Sequence, residues 1–463
     1  MESKRLNRKL LIAILSAGIL SFLGILDETA TTVTFPILIN EFSVTTGQVQ
    51  WVNTIVLLVI AVIVPISSQI KLRFSTKNIF LSGILIFMMG LLIDIVSPRF
   101  DFLLLGRIFQ GIGTGIGLPL MYNIILEKVP KAHLDFMMGI GTMITAAAVA
   151  IGPVFGGIIT QRLNWRWIFI ISFILGTIGL ISGLFTIPQL SLASKKVHFK
   201  VLQWVTLGIG LILLIIGFTN FVKNSLLSYK VSSFIIGGII SLIIWGKLSW
   251  RDKNPLINPK IFQDITFTMQ LVCYCIAKIS TLALGFALPL YIELVNFGSS
   301  SIAGWILLPG AIADAIMAAV GGKILAKRGN RLPIISGTFV SLLSLSLLFL
   351  STPHLTNTLI IFLYILYYGG YGLSFSTLMT SGLTALTKKE QAEGNAIYNT
   401  LQQFSGAVGT ALAGSLIAIS QKATSQSLAN GTAQGNKRIF ITLILLISLS
   451  LVIEFFFIPK SNK

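Results

Sequence analysis

Apolar residues run along this chain in blocks of 18 or more, separated by short polar stretches that hold most of the Lys and Arg. Blocks of that length match membrane-spanning helices rather than the one-sided helices of soluble cores. Hydropathy predicts fourteen spans. The first six cover residues 9–39, 49–70, 78–97, 101–128, 135–160 and 167–189, and two shorter ones cover 201–221 and 231–249. Six more cover 263–292, 300–324, 332–351, 356–383, 393–420 and 437–459. The predicted fold is an all-α polytopic membrane protein. Met1 to Ala30 pairs basic residues with an apolar stretch, as a signal peptide does. However, the run Leu10 to Leu26 is long for one and ends in Asp27-Glu28 rather than small residues. It reads as the first half of a retained helix.

An even number of spans puts both termini on one side, and the loop charges say which. With the N-terminus inside, 24 of the 34 Lys and Arg fall in inner segments and 8 in outer ones, while Arg107 and Lys278 lie within spans. That asymmetry predicts cytoplasmic termini. The chain has 463 residues, of which 54% are hydrophobic and 11% charged. Soluble domains carry about 25% charged residues, so this chain is too poor in charge to be a row of them. The net charge of +19 comes from those loops, and no basic patch with interleaved aromatics speaks for nucleic acid. Cys273 and Cys275 stand at i, i+2, about 200° apart on a helix, and the three His are scattered. Neither a disulfide nor a metal or other cofactor is expected.

No loop is long enough for a separate catalytic domain. The longest outer one, Gln421 to Asn436, is rich in Ser, Gly and Asn and reads as a flexible connection. The expected organisation is 6+2+6: a first bundle over 1–189, two additional helices over 190–261, and a second bundle over 262–463. A faint echo supports duplicated halves. The loop Ser68-Gln-Ile-Lys-Leu-Arg73-Phe-Ser-Thr-Lys77 corresponds to Gly322-Lys-Ile-Leu-Ala-Lys327-Arg328-Gly-Asn-Arg331. Repeated halves with a site at their interface are common in secondary transporters.

A few polar residues interrupt the apolar blocks. Asp27 and Glu28 lie mid-span, where a carboxylate costs about 2.5–3.5 kcal/mol on insertion scales. They either mark a helix end or sit in a helix kinked at Pro36, and the apolar run Val33 to Ile39 favours the second. Asp27, Thr31 and Thr34 share one face, a stripe suited to lining a cavity, while Glu28 points about 100° away. A desolvated carboxylate takes a proton readily, and a cation beside it opposes this, so proton and cation compete for one charge. Arg107, in Leu105-Gly-Arg107-Ile-Phe-Gln110-Gly111, must pair inside the membrane or snorkel to the surface near Asp101. Gly152-Pro153-Val-Phe-Gly156-Gly157 permits close helix contact and frees a carbonyl.

In the second half, Asp314 and Lys278 lie mid-span and either pair as a structural salt bridge or take part in function. Tyr364, Tyr367, Tyr368 and Tyr371 form an aromatic stripe that serves packing or a pocket. Asn395, Asn399 and Gln402 stripe the thirteenth span and suit a cavity wall. An intramembrane enzyme would need a catalytic constellation such as His-Glu-x-x-His, which is absent. No ATP-binding motif occurs either, so any driving force is a gradient.

These residues resemble the major facilitator superfamily, and within it the fourteen-helix drug:proton antiporters. The matching pieces are Leu26-Asp27-Glu28-Thr29 with Phe35-Pro36, Arg107 with Gln110-Gly111, and Gly152-Pro153-x-x-Gly156-Gly157. Asn164-Trp165-Arg166-Trp167-Ile168-Phe169 and Asn254-Pro255-Leu256-Ile257 resemble further family segments. One departure stands out. The family's Gly-x-Leu-x-Asp-Arg-x-Gly-Arg loop has Ser68, Leu72 and Ser75 at its first Gly, its acid and its later Gly, with Arg73 and Lys77 kept. A family latch that uses that acid lacks it here.

The resemblance implies a proton-coupled multidrug efflux transporter for amphipathic, often cationic compounds, with a narrow exporter of one metabolite, peptide or tetracycline-like antibiotic as the alternative. It implies proton coupling at Asp27, Glu28, Arg107 and Asp314. Substrate contacts would come from Asp27, Glu28, Thr31, Gln110, Tyr364, Tyr367, Tyr371, Asn395, Asn399 and Gln402. Gly152, Pro153, Gly156, Gly157 and Arg73 would serve the conformational change. The implied partners are small-molecule drugs, protons and the bilayer, for a monomer in a bacterial cytoplasmic membrane.

Overall fold

The computed structural model describes residues 8–187, 199–221, 229–352, 354–388, 390–423 and 427–458. Among these residues every regular element is helical, and fourteen helices are long and apolar enough to cross a membrane. The first six are Arg8–Phe42, Thr46–Ser67, Thr76–Val96, Phe100–Lys128, Phe136–Arg162 and Arg166–Thr186. Val201–Asn220 and Val231–Arg251 follow. The last six are Ile265–Leu294, Ser300–Arg328, Arg331–Ser351, Asn357–Ala385, Glu393–Ala423 and Leu428–Phe457. The expected boundary at residues 189 and 190, most of the loop Leu190–Lys200, and the terminal segments counted in the charge split, apart from Arg8 and Lys9, lie outside the described residues.

One expectation is corrected. The thirteenth and fourteenth spans reach Ala423 and start at Leu428, so most of Gln421 to Asn436 is helix rather than flexible connection. Ser427 caps the fourteenth, its hydroxyl accepting from Asn430 N at 3.1 Å. The small residues there seat one helix against the other: a Cβ on Gly431 would lie 2.6 Å from Gln421 Cα, and Gln421 Nε2 donates to Thr432 Oγ1 at 2.9 Å. In a membrane, small residues between helices signal close packing as readily as a loop.

The first span bends without breaking. It is α-helical over Arg8–Ala30, tightens to a 3-10 turn over Thr31–Thr34, and resumes over Phe35–Phe42. Pro36 has no N–H to continue the ladder. Threonine hydroxyls bond back to carbonyls through the bend: Thr31 to Asp27 O at 2.9 Å, Thr32 to Thr29 O at 2.7 Å and Thr34 to Thr31 O at 2.8 Å. Hydroxyls are the acceptable partners for backbone distorted inside a membrane.

The duplication expected from the loops has a counterpart in packing. Six residues beyond Lys77 and Arg331 stand Gly83 and Gly337. A Cβ on Gly113 would meet Gly83 O at 2.6 Å, and one on Gly370 would meet Gly337 O at 2.5 Å. The third and fourth spans thus touch as the eleventh and twelfth do. Large apolar side chains such as Leu85, Ile174, Ile178, Phe362 and Leu445 are exposed, as a lipid-facing surface requires.

The bundles meet in the half away from the termini. Thr46 Oγ1 donates to Gln421 Oε1 at 2.7 Å, Thr54 and Thr410 share a hydrogen bond of 2.7 Å, and Thr160 and Ser300 share one of 3.0 Å. Phe35 packs on Phe286 with ring centroids 4.9 Å apart. The seventh and eighth spans pair with each other, Ser241 donating to Thr206 O at 2.7 Å, and dock on the second through Trp204 Nε1 to Val62 O at 2.8 Å.

The ends of these two spans are tied near the membrane surface. Lys200 and Asp252 form an ion pair of 2.5 Å, Gln203 Nε2 donates to Asp252 Oδ2 at 2.8 Å, and Leu256 N donates to Gln203 Oε1 at 2.8 Å. The hydrogen bond from Lys200 holds the Asp252 carboxyl below the usual carboxylate range, aided by the Asn254 backbone. A lowered folded-state value means the stabilisation is present above about pH 4 and is lost as pH falls through the lowered value. Asp252→Asn should therefore destabilise the purified protein at pH 7 by at most about 1 kcal/mol, the worth of a partly exposed pair. In thermal unfolding across pH, the gap between wild type and variant should close under strong acid.

Candidate functional site

The densest polar cluster lies inside the first bundle, around Arg107. The residue is fully buried, which excludes snorkelling to the surface. Its Nε donates to Val52 O at 3.1 Å, Nη1 to Gln110 Oε1 at 2.6 Å and Nη2 to Thr31 Oγ1 at 3.3 Å. Asp27 O and Asn53 Oδ1 each lie 3.5 Å from Nη2, and the Phe169 ring centroid is 5.8 Å from the guanidinium carbon. All of these partners are neutral. Among the described residues the contact ion pairs are Lys71–Glu127, Arg166–Glu41 and Lys200–Asp252, none of which involves Arg107.

The carboxylates stand one step further out. Asp27 is fully buried; Ser172 Oγ donates to its Oδ1 at 2.5 Å, and Oδ2 has no hydrogen-bond partner. On the other side Gln110 Nε2 donates to Asp94 Oδ2 at 2.6 Å, and Asp94 Oδ1 has no partner. Asp94 is also fully buried. Glycines make this meeting possible. A Cβ on Gly90 would lie 2.6 Å from Gly106 O and 2.8 Å from Gln110 N, so the third and fourth spans touch backbone to backbone. Asp94 lies directly over Gly106, where any Cβ would collide with its Oδ1.

Asp94, Ser172 and Asn53 were not anticipated from the sequence. Asp94 had a signal, a carboxylate in the apolar run Leu91-Leu-Ile-Asp94-Ile-Val96, but it lies close to a predicted span end. Thr31 and Gln110, expected to contact substrate, are instead buried with their polar groups engaged within the protein. Thr31, for instance, donates to Asn53 Oδ1 at 2.8 Å. The stripe of Asp27, Thr31 and Thr34 therefore packs in the bundle rather than lining open space.

The second group of charges crosses between the bundles. Glu28 is buried, and the charge of Lys278 on the ninth span acts on it and on Asp314 of the tenth. Lys278 and Asp314 do not form the salt bridge allowed by the sequence, since no contact ion pair joins them. The charge of Lys278 thus acts on one acid from each bundle. Asp314 lies against Gly372 of the twelfth span, where a Cβ would come 2.9 Å from its Oδ1.

The aromatic stripe is a stack. Tyr364, Tyr367, Tyr368 and Tyr371 are all buried, with Tyr364–Tyr368 centroids 4.4 Å apart and Tyr371–Phe375 4.6 Å apart. Phe375 continues to Tyr274 at 4.1 Å, whose hydroxyl donates to Gln402 Oε1 at 2.6 Å. Asn395 is exposed, and Asn399 Nδ2 donates to its carbonyl at 2.8 Å. Asn395 thus reaches the surface and Asn399 is half-buried, whereas the tyrosines as placed serve packing. A further buried carboxylate, Glu454, accepts from Thr338 at 2.9 Å and Ser450 at 3.0 Å, away from both charge groups.

The fifth-span motif touches two partners at once. Gly152 and Gly156 lie against Thr29 and Ala30 of the first span. A Cβ on Gly157 would lie 2.5 Å from Ser300 O and 2.8 Å from Ser301 Cα in the other bundle. Arg73 is exposed at the far surface, its guanidinium 5.1 Å from the Phe199 ring centroid, and beside it Lys71 pairs with Glu127 at 2.5 Å. With Leu72 at the acidic position, the tie there links the second span to the fourth.

A profile of the Major Facilitator Superfamily matches residues 17–410. The chain is 32% identical over 417 residues to the lincomycin resistance protein LmrB of Listeria innocua, covering 89% of this chain and 87% of that one. It is 31% identical over 415 residues to the protein of that name from Bacillus subtilis, with 89% and 86% covered. An Escherichia coli protein provisionally named for multidrug resistance, MdtD, is 24% identical over 400 residues, with 86% and 84% covered. Among solved structures, a bacterial homolog of the human lysosomal transporter Spinster, inward-facing and unoccupied, aligns with TM-score 0.70 and 14% identity over 98% of this chain and 97% of that one. A POT family transporter in complex with 5-aminolevulinic acid aligns with TM-score 0.69 and 14% identity over 100% and 98%. Those structural likenesses concern the fold alone.

The Gly157 contact is with backbone, which cannot swing aside. Gly157→Leu should destabilise the arrangement closed in this half by about 1–3 kcal/mol, the usual cost of overpacking. That corresponds to roughly a five- to 150-fold loss of its population. Distance measurements between spin labels on the fifth and tenth spans should then shift to longer separations, and an unchanged distribution would mean the site tolerates bulk.

Proposed function

This chain belongs to the Major Facilitator Superfamily, and we propose that it is a proton-coupled exporter of amphipathic, often cationic drugs working by alternating access. It is a multi-pass membrane transporter and not an enzyme. The observation that carries the proton-coupled reading is Asp27, a fully buried carboxylate in the middle of the first span with one oxygen held by Ser172 and the other without a partner. One negative charge in such a place can hold a proton or attract an organic cation, and each opposes the other. Arg107 on one side, and Glu28 facing Lys278 on the other, set the field in which that competition occurs. Asp314 and the amides of the thirteenth span would form the opposite wall.

With the termini cytoplasmic, as the loop charges favour, the closed half is the outer one and the protein is open to the cytoplasm. In that state drug would load and a proton leave. The proton gradient supplies the energy and no cofactor is required. The expected setting is a bacterial cytoplasmic membrane and the expected unit a monomer. A narrower reading, export of one antibiotic, draws support from the relatives named for lincomycin resistance.

Dye efflux from cells with and without a protonophore tests the coupling, and several unrelated dyes separate a multidrug exporter from a narrow one. Asp27→Asn keeps size and hydrogen bonding but removes the charge. We expect pH-driven efflux to fall to the passive leak while expression and insertion persist; near-normal transport would remove Asp27 from the mechanism. A second expectation concerns voltage. Exchange of one proton for one monovalent cation moves no net charge, whereas two protons per cation would draw on about 2.3 kcal/mol per 100 mV. With Asp27 and Glu28 each holding a proton, export of a monovalent cation should respond to voltage in vesicles, and Glu28→Gln should weaken that response more than the transport rate. Voltage-independent export by the wild type would rule out the two-proton scheme.

A further inference from the structure

Arg107 is a permanent cation in the interior of the first bundle, and its five hydrogen-bond acceptors are all neutral. Its charge must be balanced by a group it does not touch. Gln110 identifies that group. A guanidinium only donates, so the Gln110 oxygen must face Arg107, and its NH2 then faces Asp94 Oδ2. Both bonds are 2.6 Å. The amide thus passes the polarity of the cation on to a carboxylate. Asp94 is sealed, with no exposed surface and with Oδ1 pressed over Gly106. Asp27 also has one oxygen with no partner. Its other oxygen, however, faces the Ser172 hydroxyl, which can donate or accept and so tolerates a proton on the acid, whereas the Gln110 NH2 on Asp94 can only donate.

We propose that Asp94 is the standing counter-ion of Arg107, joined to it through the Gln110 amide, and that this frees Asp27 to bind and release a proton without stranding the guanidinium. The inference rests on the proton-coupled reading above. When Asp27 is protonated, Asp94 and Arg107 still balance. When Asp27 is charged, the cluster carries one net negative charge, the state that attracts a cation. Without Asp94, protonating Asp27 would leave a bare cation in the bundle. The charged groups that face the cluster are Asp27 and Glu28 from the first span and Arg107 from the fourth. The second and sixth spans contribute Asn53 and Ser172 at this level, and Arg166 at the outer end of the sixth is bound to Glu41 and to Ser97 O. Asp94 is therefore a positioning residue that acts through Gln110 and Arg107.

The test is the pH dependence of ethidium exchange in proteoliposomes. Asp94→Asn leaves Asp27 as the carboxylate nearest Arg107, which holds it charged, so a higher proton concentration is needed to load it. The midpoint of exchange should move to acid pH by about one unit, a tenfold change in proton concentration. Gln110→Met breaks the relay while leaving both charges, and should move the midpoint in the same direction; it also carries the test should Asp94→Asn fail to assemble. Gln110→Glu added to Asp94→Asn puts a carboxylate against Arg107 and should return the midpoint toward that of the wild type. A variant that folds and exchanges with an unmoved midpoint, whether fast or slow, overturns the proposal. If the wild type exchanges in response to pH and neither variant shifts, this inference alone fails. If the wild type shows no pH-driven exchange, the proton-coupled reading fails and takes this inference with it.

Discussion

A guanidinium in the interior of a helix bundle needs both its donors and its charge satisfied, and much of the first bundle is organised around doing this for Arg107. The fourth span carries it. The second supplies Val52 O and Asn53, the first supplies Thr31 and a backbone carbonyl, and the sixth supplies Ser172 to Asp27 and the Phe169 face. The donors are met by neutral oxygen atoms, and the charge is met at longer range by carboxylates on two other helices. Separating the two tasks matters, because a direct salt bridge in low dielectric is stiff and costly to break. Held at one remove, a carboxylate can lose its charge without its neighbours losing their hydrogen bonds.

This arrangement depends on how closely the helices approach. Asp94 and Gln110 have short side chains and meet only because Gly90 and Gly106 let the third and fourth backbones touch. Lipid gives apolar helices little reason to associate, so such contacts rest on packing and on polar groups between small residues. The same device recurs in the second half at Gly337 and Gly370, yet no Arg–Gln–Asp relay accompanies it there. The repeated scaffold carries the chemistry unequally. The second bundle contributes a tyrosine stack, Asp314 and Lys278, and another of its buried carboxylates, Glu454, is held by two hydroxyls away from the centre.

The spans were legible because membrane helices must be apolar over their whole length. What was not legible came from contacts between spans. Asp94 sits three residues before a predicted helix end, where an acid is unremarkable until the neighbouring glycines are known to bury it. Gly431 to Asn436 reads as a loop by composition, and only the thirteenth span packed against it explains the small residues. Spacing put Thr31 on one face with Asp27 and Thr34, and Gln110 came with the Arg107 segment. Neither could say whether these residues faced open space or Arg107. Lys278 and Asp314 could pair or take part in function because both lie mid-span, but no contact ion pair joins them among the described residues, and the charge of Glu28 in the other bundle also acts on Lys278.

The first span is where charge and movement meet. Asp27 and Glu28 stand just before the bend at Thr31–Thr34, and the bend is held by hydroxyls rather than by the regular ladder. Against the two residues between acids and bend, Thr29 and Ala30, lie Gly152 and Gly156 of the fifth span. The next residue, Gly157, lies on Ser300 and Ser301 of the opposite bundle. One run of close contacts thus leads from the helix that carries the two acids to the seam between the bundles. The Gly156 and Gly157 links are carbonyl or Cα against glycine, while Gly152 meets the Thr29 side chain, whose hydroxyl donates to Ile25 O at 2.8 Å. On the proton-coupled reading, a change of tilt in the first span would press on the fifth span and through it on the seam. In the proposed exchange cycle, the element that carries the two acids and the element at the seam are thus joined by close contacts through the fifth span.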